Sequence, residues 1–106
     1  MDIDKHAQDI GLSPEEYRDL VRLFLNTAEG DLSKLKEAIK TANHEQAAAV
    51  AHHIKGAALN LELDQISKAA LAIETNAKQK NLAGAEPNIE IIRGELKAIA
   101  QSINQV

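Results

Sequence analysis

Val50-Ala51-His52-His53-Ile54-Lys55-Gly56-Ala57-Ala58-Leu59-Asn60-Leu61 is the stretch on which the fold turns. Val50, Ile54, Ala57 and Leu61 stand at i, i+4, i+7 and i+11, the apolar stripe of an α-helix packed on one side. Each residue turns about 100° around a helix axis, so His52 lies about 160° from Val50 and Ile54 and about 140° from Ala57. It faces away from the core. His53 lies about 60° from Val50 and about 40° from Ala57. That predicts a structural residue at the edge of the core, hydrogen-bonded across a bundle. The adjacent histidines therefore split, and His52 is the exposed imidazole.

Lys55 and Gly56 follow His52 by three and four residues, on the same side of the helix one turn along. Glycine inside a helix costs about 1 kcal/mol relative to alanine, so Gly56 needs a reason. One is clearance, leaving the imidazole open to a large partner. The other is close packing of two helices. An unperturbed imidazole has a pKa of about 6.5 and is substantially neutral at pH 7. An exposed neutral imidazole, a nearby ammonium and a bare patch make a site for a phosphoryl group.

The rest of the chain supplies partners for this helix. Residues 2–10 read as a weakly helical leader containing Ile3 and Ile10 and broken by Gly11. Ser13-Pro14-Glu15-Glu16 is a helix start: Ser13 caps, Pro14 suits the first helical position and Glu16 completes a capping box. Tyr17, Leu20, Val21, Phe24, Ala28, Leu32, Leu35 and Ile39 then recur at helical spacing. Gly30 interrupts that helix and predicts a bend or a close contact. Leu23 and Leu25 flank its stripe, and one of them is a candidate for a partner surface. Asn43 caps the helix of the opening stretch, with Gln46 at the box position. Asp64 is expected to cap the next helix, whose apolar face is Ile66, Ala69, Ala70, Ile73 and Ala77. Residues 81–86 read as a loop containing Gly84. Pro87 is expected to open the last helix, striped with Ile89, Ile92, Leu96, Ile99 and Ile103. Four amphipathic helices with short connections predict an all-α fold, an antiparallel up-down four-helix bundle with a short N-terminal leader segment.

Composition agrees. The chain of 106 residues is enough for one domain, expected to span residues 1–106. Hydrophobic residues make up 44% and aromatics only 2%, so the core must be built from Leu, Ile, Val and Ala. The net charge of −4 is spread over interleaved acidic and basic residues, which argues against nucleic acid as a partner. There is no cysteine, hence no disulfide and no thiolate chemistry. No apolar run approaches the roughly 20 residues of a membrane span. The polar N-terminus is unlike a secretory signal. A cytoplasmic protein without membrane contact is expected.

At His52, Lys55, Gly56, Ala57 and Ala58 the sequence resembles the histidine phosphotransfer (HPt) domain of bacterial two-component phosphorelays, whose core pattern is His-x-x-Lys-Gly followed by two small residues. Phe24 to Leu32 is similar to the family's first long helix. The alanine-rich lead-in from Ala47 to Ala51 and the later Ala72-Ile73-Glu74 are similar as well. The resemblance implies a four-helix bundle, often with an extra N-terminal segment. It implies that His52 accepts a phosphoryl group through Nε2 from the aspartyl phosphate of a receiver domain and passes it to a second receiver. Lys55 would stabilise phosphoryl charge and Gly56 would give steric access. The implied partners are response-regulator receiver domains and a hybrid histidine kinase. The implied protein is a monomeric phosphocarrier without cofactor or metal of its own, not an enzyme that turns over a free substrate. One departure stands out: Glu62-Leu63 occupies a place where the family often has Gly-Leu or Gly-Ala. The carboxylate adds negative charge near the end of the site helix.

Other classes make different demands. A metal-binding bundle wants Glu-x-x-His pairs, and no glutamate stands three residues before His6, His44, His52 or His53. His6 and His44 read as solvated. A non-catalytic helical adaptor would bind receiver or kinase domains without phosphorylation, but a degenerate domain of that kind usually loses the histidine. The phosphotransfer domain of a chemotaxis-type kinase shares the bundle and the motif, with ATP as donor through a separate catalytic domain.

Overall fold

The computed structural model describes residues 1–104; Gln105 and Val106, the end of the expected domain, lie outside the described residues. Those described form five helices and no strand: α1 Ile3–Asp9, α2 Pro14–Lys40, α3 His44–Asn60, α4 Asp64–Lys78 and α5 Ala85–Asn104. Each of the four long helices has two long neighbours, α2 packing on α3 and α5, and α4 on α3 and α5. That closed order makes the helical bundle. The leader α1 packs on α2.

The local signals explain the boundaries. Ser13 Oγ accepts from the Glu16 amide at 3.1 Å, and Glu16 Oε1 accepts from the Ser13 amide at 2.9 Å, closing the capping box. Asn43 Oδ1 accepts from the Gln46 amide at 3.1 Å. The first four helices all end the same way. At the end of α3, the Leu63 amide donates to the Ala58 carbonyl at 2.8 Å and the Glu62 amide to Leu59 at 3.1 Å. This pair of bonds is the Schellman turn. It recurs after α1, α2 and α4, with Gly11, Ala42 and Lys80 at the position where Glu62 sits. All four residues have positive φ, from 53° to 73°.

The same turn corrects the expected cap of α4. Leu63 closes the Schellman turn of α3 and is buried there, as the apolar partner such a turn favours. Leu63 is therefore also the residue that precedes α4, and no side chain caps that helix. Asp64 falls inside the first turn instead. The last helix begins at Ala85, two residues before Pro87, so Pro87 still occupies the first turn, where a missing N–H costs nothing. Gly30 sits in unbroken helix with nothing within 4 Å of where a Cβ would stand, so it marks no close contact.

The core is aliphatic. Ile54, Ile66, Ile73, Ile89 and Ile92 are fully buried, each contributing about 1.5–3 kcal/mol by leaving water. Small residues do the rest: α3 buries Ala47, Ala51 and Ala58, and α4 buries Ala69, Ala70 and Ala77. With so many alanines on both, α3 and α4 share the most extensive packing in the molecule. Leu20, expected in the stripe of α2, is exposed, and Ala38 is buried near the position expected for Ile39.

Candidate functional site

Helix α3 presents His52 to solvent and α4 supplies what lies behind it. The His52 side chain is 66% exposed, and its Nδ1 is 2.8 Å from Oε2 of Glu74. Glu74 is buried, its side chain only 4% exposed. Its other oxygen, Oε1, faces Lys55 Nζ at 2.8 Å, and Lys78 Nζ is 3.2 Å from Oε2. One buried carboxylate thus gathers an imidazole and two ammonium groups.

Charge decides the protonation of this cluster. The Lys55 ammonium holds the Glu74 carboxyl down at about 2, with help from His52 and Lys78 and against the opposing cost of burial. Glu74 is then an anion at neutral pH and can only accept hydrogen bonds. The ring nitrogen facing it, Nδ1, must carry the proton of the neutral imidazole. Nε2 is left with its lone pair free, on a ring that is mostly in solvent. The arrangement aims an unprotonated ring nitrogen at solvent with a net positive charge close by.

Lys55 differs from its expected setting. It lies one turn from His52 as the spacing predicts, but its ammonium is paired with Glu74 and its side chain is only 21% exposed. Gly56 is half-buried, and a Cβ there would meet nothing within 4 Å. Close helix packing does not account for it.

His53 corrects the sequence reading in part. Its Nδ1 is 3.0 Å from Asp31 Oδ2 on α2, the expected hydrogen bond across the bundle, but the side chain is as exposed as that of His52. The reason is the position of the buried arc. Ala57 is only half-buried, whereas Ala47, Ala51 and Ala58 are fully buried. This rotates the packed face of α3 away from His53. His6 is also not simply solvated. Its ring stacks on Tyr17 at 5.9 Å and its Nδ1 faces Glu62 Oε1 at 3.3 Å. The charge of Glu62 is therefore directed at the leader helix.

Glu74 and Lys78 were not assigned a role from the sequence. A signal existed for Glu74: on α4 it lies about 40° from Ala70 and about 60° from Ala77, a carboxylate placed on the apolar face. Such a group needs a partner inside the fold. Nothing comparable marks Lys78. Among the described residues, no three histidine, aspartate or glutamate side chains converge as a metal site, and no helix is long and apolar enough to cross a membrane.

The Hpt domain family matches residues 19–102, and the chain belongs to that family. No curated protein and no solved structure matches the chain. Members of the family are phosphocarriers of two-component phosphorelays, working with response-regulator receivers or kinases.

Proposed function

We propose that the chain acts as a single phosphotransfer domain in which His52 accepts a phosphoryl group from the aspartyl phosphate of a receiver domain and passes it to a second receiver. The observation that carries this is the exposed imidazole whose Nδ1 is bound to a buried, ionised carboxylate. The Nε2 lone pair attacks phosphorus. An N–P bond forms as the acyl P–O bond breaks, and the aspartate leaves as carboxylate. The ring proton stays on Nδ1, held by Glu74. Onward transfer runs the same step in reverse on a second aspartate.

The transition state of such a transfer is loose, with charge spread over the equatorial oxygens, so positioning and charge do the catalytic work. Lys55 fixes Glu74 and contributes positive field. Gly56 leaves room for the receiver beside the imidazole. A shallow groove lined by Lys55, Lys68, Asp64 and the exposed Leu59 and Leu71 supplies apolar surface flanked by charges of both signs for the same partner. The receiver and a hybrid histidine kinase are the expected partners, and the chain turns over no free substrate.

Phosphotransfer from a panel of phosphorylated receivers tests this on wild type, His52→Gln and His53→Gln. Acid-labile label on wild type and on the His53 variant, with none on the His52 variant, is the expected result. Label at a normal rate on His52→Gln overturns the assignment. No label on any protein, from receivers shown to be phosphorylated, leaves a binding-only adaptor.

A further inference from the structure

Glu74 holds more positive charge than its own neutralisation requires. Two ammonium groups share one carboxylate, Lys55 on Oε1 at 2.8 Å and Lys78 on Oε2 at 3.2 Å. One positive charge is left over beside His52. The two lysines are not equivalent. Lys55 is largely covered, at 21% side-chain exposure, and has Oε1 as its partner. Lys78, the last residue of α4, is 67% exposed and meets the same oxygen that binds His52 Nδ1. Its ammonium and the imidazole are neighbours across one atom.

We propose that Lys78 is the cation that contacts the phosphoryl group carried by His52, while Lys55 stays on the buried carboxylate. This rests on the reading of His52 as acceptor, and it adds a residue outside the His-x-x-Lys-Gly pattern. Lys78 is the solvent-exposed partner and Glu74 keeps Lys55 when Lys78 leaves, so turning toward a new anion leaves no buried charge unpaired. Taking Lys55 away would strip a buried carboxylate of its best-covered partner, which is expensive. A phosphoryl group bears about −1.5 to −2 charge, more than a carboxylate, and attracts the mobile ammonium more strongly. Lysine suits the exchange, being a point charge on a flexible stem.

The test reads the phosphoryl group itself. Wild type, Lys78→Gln, Lys78→Arg, Lys55→Gln, Lys97→Gln and His52→Gln are phosphorylated with phosphoramidate. The ³¹P resonance of the phosphohistidine is then followed against pH. A contacting cation disfavours protonation of the phosphohistidine, so Lys78→Gln should move its titration midpoint up by about half a pH unit. Lys78→Arg should restore it. Lys97→Gln, which removes an exposed charge on α5, should leave it in place. Transfer to a receiver should slow by about tenfold in Lys78→Gln, a smaller effect than loss of a buried oxyanion donor because the site is open to water. An unmoved midpoint in Lys78→Gln, or a shift in Lys55→Gln alone, overturns the assignment to Lys78 and leaves the acceptor reading intact. A phosphohistidine resonance that survives in His52→Gln overturns both.

Discussion

His52 Nδ1 and Glu74 Oε2 lie 2.8 Å apart, joining a ring that is mostly in water to a carboxylate that is almost wholly out of it. The pair fixes which ring nitrogen is free. Glu74→Gln replaces an obligate acceptor with an amide that can also donate, so the ring is no longer held in one tautomer. Phosphotransfer to His52 should fall by roughly tenfold to a hundredfold, as when the carboxylate behind a ligating histidine is removed. An unchanged rate would remove Glu74 from the site. The pH dependence has a definite sign. The folded carboxyl sits at about 2, below its ordinary 4.5, so its contribution to stability is complete above pH 4.5 and lost as pH falls through about 2. The stability difference between wild type and Glu74→Gln, measured by denaturant titration, should shrink over that window.

Gly56→Ala separates folding from function. A Cβ there meets nothing in the chain within 4 Å, and alanine is the better helix former, so stability should rise by about 0.5–1 kcal/mol. Transfer from a phosphorylated receiver should nonetheless slow, while phosphorylation by a small donor such as phosphoramidate is unchanged. Equal receiver rates in both proteins would end the clearance role.

The contrast between Gly56 and Glu74 shows what was legible in the sequence. Helix starts were legible because Ser13-Pro14-Glu15-Glu16 and Asn43 act locally, through bonds to amides three residues away. The exposure of His52 followed from helical angles alone. His53 lies farther from the core than its angles predict because Val50, Ile54, Ala57 and Leu61 define an arc that leaves out Ala47, Ala51 and Ala58, and those three carry much of the burial on α3. Small side chains give a weak periodic signal yet pack most closely. Asp64 does not cap α4 because the Schellman turn that ends α3 places Leu63 at that position. The cluster on Glu74 joins α3 to α4 across 22 residues of sequence, a distance that no local pattern encodes.

Tyr17 predicts the alkaline limit of the fold. Its buried hydroxyl donates to the Leu61 carbonyl at 2.6 Å, tying the start of α2 to the turn after α3. Burial, with Glu62 nearby, pushes the phenol up to about 12 from its ordinary 10. A raised value means that the stabilisation is complete below pH 10 and lost as pH rises through about 12. Tyr17→Phe should cost about 1 kcal/mol at neutral pH, the net value of a typical hydrogen bond. It should also flatten the alkaline fall in a denaturant series. A wild-type fall that persists unchanged in Tyr17→Phe would assign it to other groups.

Three of the four Schellman turns hold a residue with a side chain where glycine is the natural choice. Ala42, Glu62 and Lys80 have φ of 53°, 58° and 59°. The left-handed region costs an L-residue about 1–2 kcal/mol, and glycine returns part of that gain through its freer unfolded chain. Ala42→Gly and Lys80→Gly should each stabilise the bundle by about 0.5–1 kcal/mol, or several degrees in Tm for a domain of this size. Glu62→Gly should gain less, because it also gives up the contact with His6 at 3.3 Å. Gly11, at φ 73°, provides the reverse experiment: Gly11→Ala places a Cβ in the same strained region and should destabilise, although nothing lies within 4 Å of it. Thermal melts of the four variants decide the matter. If Ala42→Gly and Lys80→Gly fail to raise Tm while Gly11→Ala fails to lower it, backbone strain at these turns is not a determinant of the stability of this bundle.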